Sequence, residues 1–303
     1  MLHLPQDPNL HARNGRTALI SASYAGHLGI VSLLLEADAD KDSSDHLDRT
    51  ALMQASVSGH VAIVRLLLHA GTSKDVADNY GCTALILSAS AGHLEIVSLL
   101  LEADADNDLA DHHGRTALWM ASDAGHVEIL RVLLERGAHR NAMDEYRCTA
   151  LWKASSAGHV EIVRLLLAAD ASQDVADKYG VTPLWTASFA GHVDIVRLLL
   201  HLLLEARANQ EAADVYRGTA LWAASSVGHA DIIRLLLKAG ASKDVADKHG
   251  VTALARASDV GHVEIVCLLR EVGAKKEVAD NDGCTTLMRA CDKGHAEMVH
   301  LLR

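Results

Sequence analysis

Aromatic residues are scarce in this 303-residue sequence, at 3% with a single Phe, although half of all residues are hydrophobic. A thick core filled with rings is therefore excluded. The apolar material is Ala, Leu, Ile and Val, which suits a structure only two helices deep. Positive charge is also short, with 28 Lys and Arg against 39 Asp and Glu and a formal net charge of −11. Without a basic stripe, generic nucleic-acid binding loses its electrostatic drive, and no nucleic-acid partner is expected. An acidic chain mildly favours basic or neutral partners. The cysteines Cys82, Cys148, Cys267, Cys284 and Cys291 are odd in number and form no CxxC pair. Free thiols in a reducing compartment, cytoplasm or nucleus, are expected. The opening MLHLPQDPNL has no long apolar run, so no signal peptide is expected. The longest apolar stretch, 195–204, is broken by Arg197 and His201 and is too short to span a bilayer.

What the sequence has in abundance is self-similarity. Thr17, Thr50, Thr83, Thr116, Thr149, Thr182, Thr219, Thr252 and Thr285 recur every 33 residues, except for one step of 37. Nine residues after each Thr stands a Gly-His pair, from Gly26-His27 to Gly294-His295. The unit makes physical sense. Thr can cap a first helix by accepting orphan backbone N–H groups, and Gly can take the left-handed conformation that ends it. A second helix follows, with an acid in its first turn at Glu95, Glu128, Glu161, Asp194, Asp231, Glu264 and Glu297, where the helix dipole favours negative charge. Arg131, Arg164, Arg197 and Arg234 stand three residues after such acids and should pair with them on the solvent face. A linker such as 239–250 is long enough for an extended, hairpin-like loop. One unit cannot bury its own apolar face, so neighbours must stack.

These residues resemble the ankyrin-repeat family, whose signature T-P-L-H-x-A is nearest at Thr182-Pro183-Leu184-Trp185-Thr186-Ala187. The resemblance runs from about Asp7 to the C-terminus. It implies an all-α solenoid of stacked helix–turn–helix units with projecting hairpin-like loops, one array over 1–303. Its repeats start near 14, 48, 81, 114, 147, 180, 217, 250 and 283. At helix spacings of about 8–10 Å, the stack would run roughly 80–90 Å. The family's signature His is absent throughout, replaced by Ile20, Met53, Ile86, Trp119, Trp152, Trp185, Trp222, Ala255 and Met288. The hydrogen bonds that His makes between loop and helix must be lost or replaced. The family also implies a recognition module without catalytic residues.

The 37-residue step reflects four extra residues at about 201–204, about one helical turn. A second helix lengthened by one turn is expected, with its extra leucines covered or forming an apolar knob; a looped-out bulge is the alternative. The segment 7–15 aligns with a repeat-closing loop, and 300–303 stops inside a second helix. A piece of a longer array or polypeptide is expected, unless His3, Gln6 and the terminal basic residues suffice as caps.

No unique polar constellation points to catalysis. The Gly-His histidines are spread one per repeat, whereas zinc ligands must all lie within about 2.0–2.3 Å of one ion. Asp111-His112-His113 is a local cluster without a partner pair. Ser and His recur together across the array, as in Ser155 and His159, where a catalytic pair would be singular. No metal, no cofactor and no enzymatic activity are expected. The four tryptophans Trp119, Trp152, Trp185 and Trp222 share one slot in consecutive repeats. Stacked indoles can form a binding stripe, but the variable next slot points instead to Trp packing in the stack with its neighbour in solvent. Loop-tip Tyr80, Tyr146, Tyr179 and Tyr216 are hot-spot types. The concave helix face adds Met120, Asp123, Lys153, Thr186 and Phe189 as partner contacts. The function expected is a non-catalytic scaffold or adaptor that binds a protein or peptide on its concave groove and loop tips. The alternative is a regulatory or assembly segment of a larger enzyme, channel or membrane-associated complex. Either a monomeric array or part of a larger assembly is consistent with this.

Overall fold

The computed structural model of the chain describes residues 7–205 and 211–303. His3 and Gln6, expected as cap residues, lie outside the described residues. The chain forms two compact units, Met1–Glu145 and Tyr146–Arg303.

Unit 1 contains α1 (Ala18–Ala25), α2 (Leu28–Glu36), α3 (Ala51–Val57), α4 (Val61–His69), α5 (Ala84–Ala91), α6 (Leu94–Glu102), α7 (Ala117–Ala124) and α8 (Val127–Glu135). Unit 2 contains α9 (Ala150–Ala157), α10 (Val160–Ala168), α11 (Pro183–Ala190), α12 (Val193–Glu205), α13 (Ala220–Val227), α14 (Ala230–Lys238), α15 (Ala253–Val260), α16 (Val263–Glu271), α17 (Thr286–Asp292) and α18 (Ala296–Leu302). In each unit the first helix of a pair packs on its own second helix and on the first helix of the next pair: α1 on α3, α3 on α5, α11 on α13. The loops contribute isolated antiparallel bridges, at Ser44 with Thr50, Ala110 with Thr116 and Ala246 with Thr252.

Each first helix starts because Thr supplies its cap. Thr17 Oγ1 accepts from the Ile20 N–H at 3.2 Å, and Thr182 does the same for Trp185 at 3.2 Å. Such a cap contributes about 1 kcal/mol. The helix ends at the glycine, which also allows close approach. Gly26 sits at φ +79°, and a Cβ there would lie 2.6 Å from the His60 ring. That ring belongs to the next repeat, where His60 Nε2 donates to the Tyr24 carbonyl at 3.0 Å. His93 to Val57, His192 to Ser156 and His229 to Phe189 repeat the bond at 3.1, 3.1 and 3.2 Å. The recurring histidine is thus a tie between repeats. Ile63 and Val64 in unit 1, and Ile232 and Ile233 in unit 2, are fully buried between helices. Each such side chain contributes roughly 1.5–3 kcal/mol. The expected acid–arginine pairs form on the exposed side, with N···O distances of 3.5 Å for Glu128–Arg131 and 2.9 Å for Asp231–Arg234.

The inserted residues extend α12 to 13 residues, against nine in α10 and α14. The bulge alternative does not occur. Leu203 finds cover, while Leu204 remains exposed.

Candidate functional site

The loop tips are organised by a residue the sequence reading passed over. Asp45, Asp78, Asp111, Asp177, Asp214, Asp247 and Asp280 each stand five residues before a capping Thr. Asp78 Oδ1 accepts from the Tyr80 and Cys82 N–H groups, both at 2.9 Å. Asp214 accepts from Tyr216 and Gly218 at 2.9 and 2.8 Å, and Asp247 from His249 and Val251 at 2.9 Å. The constant five-residue offset was the available signal. Neighbouring tips are then zipped by backbone. In unit 2 the Lys178, Val215, Lys248 and Asn281 N–H groups donate to the carbonyls of Tyr146, Tyr179, Tyr216 and His249, at 2.8, 2.7, 2.7 and 2.9 Å.

The residue just before the capping Thr then decides what each tip does. In unit 1 it is an arginine in three repeats. Arg115 holds the buried Asp111 carboxylate with Nε at 2.7 Å and Nη2 at 2.6 Å. Arg16 meets Asp45 at 3.5 Å and Arg49 meets Asp78 at 3.4 Å. The hydrogen bond to Asp111 pushes the Arg115 guanidinium above its ordinary pKa. Between these charges burial, helped by Asp78 and Asp111, raises the Cys82 thiol to about 11.

In unit 2 the same position carries Cys148, Val181, Gly218, Val251 and Cys284. With no arginine there, a groove of about 670 Å³ opens, lined by Tyr179, Val181, Trp185, Tyr216, Gly218, Trp222, Val251, Arg256 and Arg289 and edged by Asp214, Asp247, His249 and Asp282. Gly218 lets the backbone approach closely there, since a Cβ would meet the Trp222 ring at 3.3 Å. The Trp185 ring stacks on Phe189 with centroids 5.4 Å apart and planes 15° apart. The Arg256 guanidinium lies 5.3 Å from the Trp222 centroid. Asp259 pairs with Arg256 at 3.4 Å and with Arg289 at 3.7 Å. Arg289 also binds Asp280. Burial opposes charge on Asp280, but the Cys284 N–H, the Arg289 guanidinium and the Asp282 N–H together hold its carboxyl below the ordinary value.

The tips of unit 2 are aromatic and basic. Lys178 Nζ lies 3.8 Å from the Tyr146 ring centroid and 5.1 Å from that of Tyr179; Lys248 Nζ lies 4.0 Å from that of Tyr216. Arg147 and Arg217 occupy the turn position that is Gly15, Gly81, Gly114, Gly180, Gly250 or Gly283 in other repeats, and both have φ +65°. An L side chain in that left-handed region costs about 1 kcal/mol. Asp48 also occupies it, at φ +56°, at less expense because Asp visits it readily.

Of the residues singled out from sequence, Tyr80, Met120, Asp123 and Trp119 lie in unit 1 and the rest in unit 2. Tyr80, Tyr146, Tyr179 and Tyr216 are exposed. Asp123 is exposed, and Met120 and Lys153 are half-buried. Phe189 is 47% exposed, against Trp185. Two expectations need correction. Thr186 is 6% exposed and cannot serve as a contact. Its helix α11 is packed on both flanks, by α9 and α13, so a flank position is covered whatever its polarity. In α11 and α13 the Trp slot is the more open of the two, whereas Ile20, Met53, Ile86 and Ala255 in the same slot are buried. Trp119 is buried, but Trp152, Trp185 and Trp222 are half-buried, and the last two line the groove. Trp152 and Trp185 also supply loop-to-helix bonds, their indole N–H groups donating to the Val181 and Gly218 carbonyls at 2.9 and 3.0 Å. Asp111 is committed to its own turn and His113 Nδ1 lies 2.7 Å from Glu145 Oε1. Among the described residues no group of three or more His, Cys, Asp or Glu is placed to hold a metal ion.

A family model described as ankyrin repeats (3 copies) matches residues 1–78, 68–144, 139–212 and 200–280. No curated protein matches the chain. No helix among the described residues is long and apolar enough to cross a membrane.

Proposed function

The chain belongs to the ankyrin-repeat family, and from that premise we propose that it is a non-catalytic scaffold that holds a segment of a partner protein in the groove and loop tips of unit 2. Ankyrin repeats are general protein–protein interaction modules. The observation that carries the reading is the open groove between Trp185 and Trp222, flanked by exposed Tyr179 and Tyr216. Exposed aromatic anchors beside a concave apolar floor are the features that concentrate binding energy. Tyr146 and the Phe189–Trp185 stack extend the contact surface. The chain acts as a monomeric array or within a larger assembly, and its free thiols suit the cytoplasm or nucleus.

The test is selection of a phage-displayed 12-residue peptide library on the immobilised chain. Joint replacement of Tyr146, Tyr179 and Phe189 by Ala should weaken the selected peptides at least tenfold. Unchanged binding would place the site elsewhere. A second reading, a regulatory or assembly segment of a larger enzyme, channel or membrane-associated complex, draws on one observation. Ile30 of α2 is 49% exposed, whereas its counterparts Ile63 and Ile96 are buried. The intact mass of the polypeptide in cells distinguishes the two.

A further inference from the structure

Resting on the groove reading above, we infer that unit 2 recognises an acidic, extended polypeptide segment: carboxylates on its loop tips and an apolar side chain between Trp185 and Trp222. The net charge of −11 taken alone favours basic or neutral partners, and the local arrangement reverses that. Four consecutive tips present Arg147, Lys178, Arg217 and Lys248, all exposed. Among the described residues none of the four belongs to an ion pair, whereas the groove's own Arg256 and Arg289 are matched by Asp259 and Asp280. Lys178 and Lys248 instead rest on tyrosine rings, which keeps each cation at the rim beside an apolar surface.

Arg147 and Arg217 make the case sharper. Each sits at φ +65° where glycine would be unstrained. An arginine at that turn carries a backbone cost that glycine would not, and strain retained at an exposed turn points to a use outside the fold. The zipped backbone fixes the tips in a row. With about 8–10 Å between repeats and about 3.3 Å per residue of extended chain, a carboxylate at roughly every third residue would meet successive tips. Asp214, Asp247 and Asp282 lie along the groove itself, so the segment's carboxylates belong on the tips and the residue between the tryptophans is apolar, a pattern that a uniformly charged phosphate backbone lacks.

The experiment measures fluorescence anisotropy of the full chain with three labelled 12-residue peptides. All carry Val in a Ser background, with Glu, Gln or Lys at every third position; a 12-nucleotide oligo-dT is the fourth probe. The Glu peptide should bind at least tenfold tighter than its Gln and Lys twins and several-fold more weakly at 300 mM than at 50 mM salt. Arg147→Gly with Arg217→Gly should weaken it at least fivefold while the melting temperature stays level or rises. Lys178→Gln with Lys248→Gln, which leaves the backbone untouched, should do likewise. Equal binding of the Gln or Lys twin, tighter binding of oligo-dT, absence of binding by the Glu peptide, or full affinity in both double variants would overturn the inference. If Gln and Glu twins bind equally and both need Tyr179 and Phe189, the acidic preference fails while the groove stands. If no peptide depends on Tyr179 and Phe189, the groove reading fails as well.

Discussion

The two units use one loop design for opposite ends. In unit 1, Arg16, Arg49 and Arg115 turn inward and are spent on buried Asp45, Asp78 and Asp111. In unit 2 the same position shrinks to Cys148, Val181, Gly218, Val251 and Cys284, and the cations move out to the tips at Arg147, Lys178, Arg217 and Lys248. Asp177, Asp214 and Asp247 in unit 2 still organise their turns through backbone N–H groups with no arginine partner, and Asp280 takes Arg289 from its own first helix. The aspartate therefore suffices for the loop, and the arginine is an optional staple. Where it is dispensed with, space opens beside Trp185 and Trp222.

The largest expected effect tests that staple. Asp111→Ala removes the acceptor for two N–H groups and strands Arg115, and should destabilise unit 1 by about 3 kcal/mol; Asp247→Ala removes only N–H acceptance and should cost about 2 kcal/mol. Urea titration of both variants checks the order, and the reverse order would break the comparison. Next, Gly218→Arg gives unit 2 the residue of unit 1. The side chain must enter the space beside Trp222, so selected peptides should bind at least tenfold more weakly, about 1.4 kcal/mol. Trp185→Phe then removes the indole donor to the Gly218 carbonyl and should cost about 1 kcal/mol of stability.

Asp280 gives a pH signature. Its folded pKa lies below its unfolded value, so its contribution is complete above the ordinary carboxylate range near pH 4 and is lost as pH falls through the lowered folded value. The stability gap between wild type and Asp280→Asn should be constant from about pH 6 to 8 and close in acid, as followed by urea midpoints. The smallest effect is chemical. Cys82, buried with its thiol raised to about 11, should react with a thiol reagent at pH 7.5 far more slowly than exposed Cys291.

Much of the fold was legible because its signals are local. Thr17 caps and Gly26 terminates within one turn of the residues they serve, and a fixed period reveals the stack. The four-residue insertion was readable because helix length scales directly with residue number. Burial of Thr186 was not, because it is decided by α9 and α13 packed on either side of its helix. The exposure of Trp185 was not legible either, because the groove it lines also takes Gly218, 33 residues away in the loop before α13. The tyrosines could be named from sequence, but the row of cations could not: only the zipped backbone places Arg147 and Arg217 beside lysines of other repeats, and only their φ angles show the turns to be left-handed.

On the proposed function, recognition resides in unit 2. Hydrogen–deuterium exchange of the full chain, with and without a library-selected peptide, tests it most directly. Exchange should slow at 179–181, 216–218 and 249–251, with residues 7–145 unchanged. Protection confined to 7–145 would contradict it.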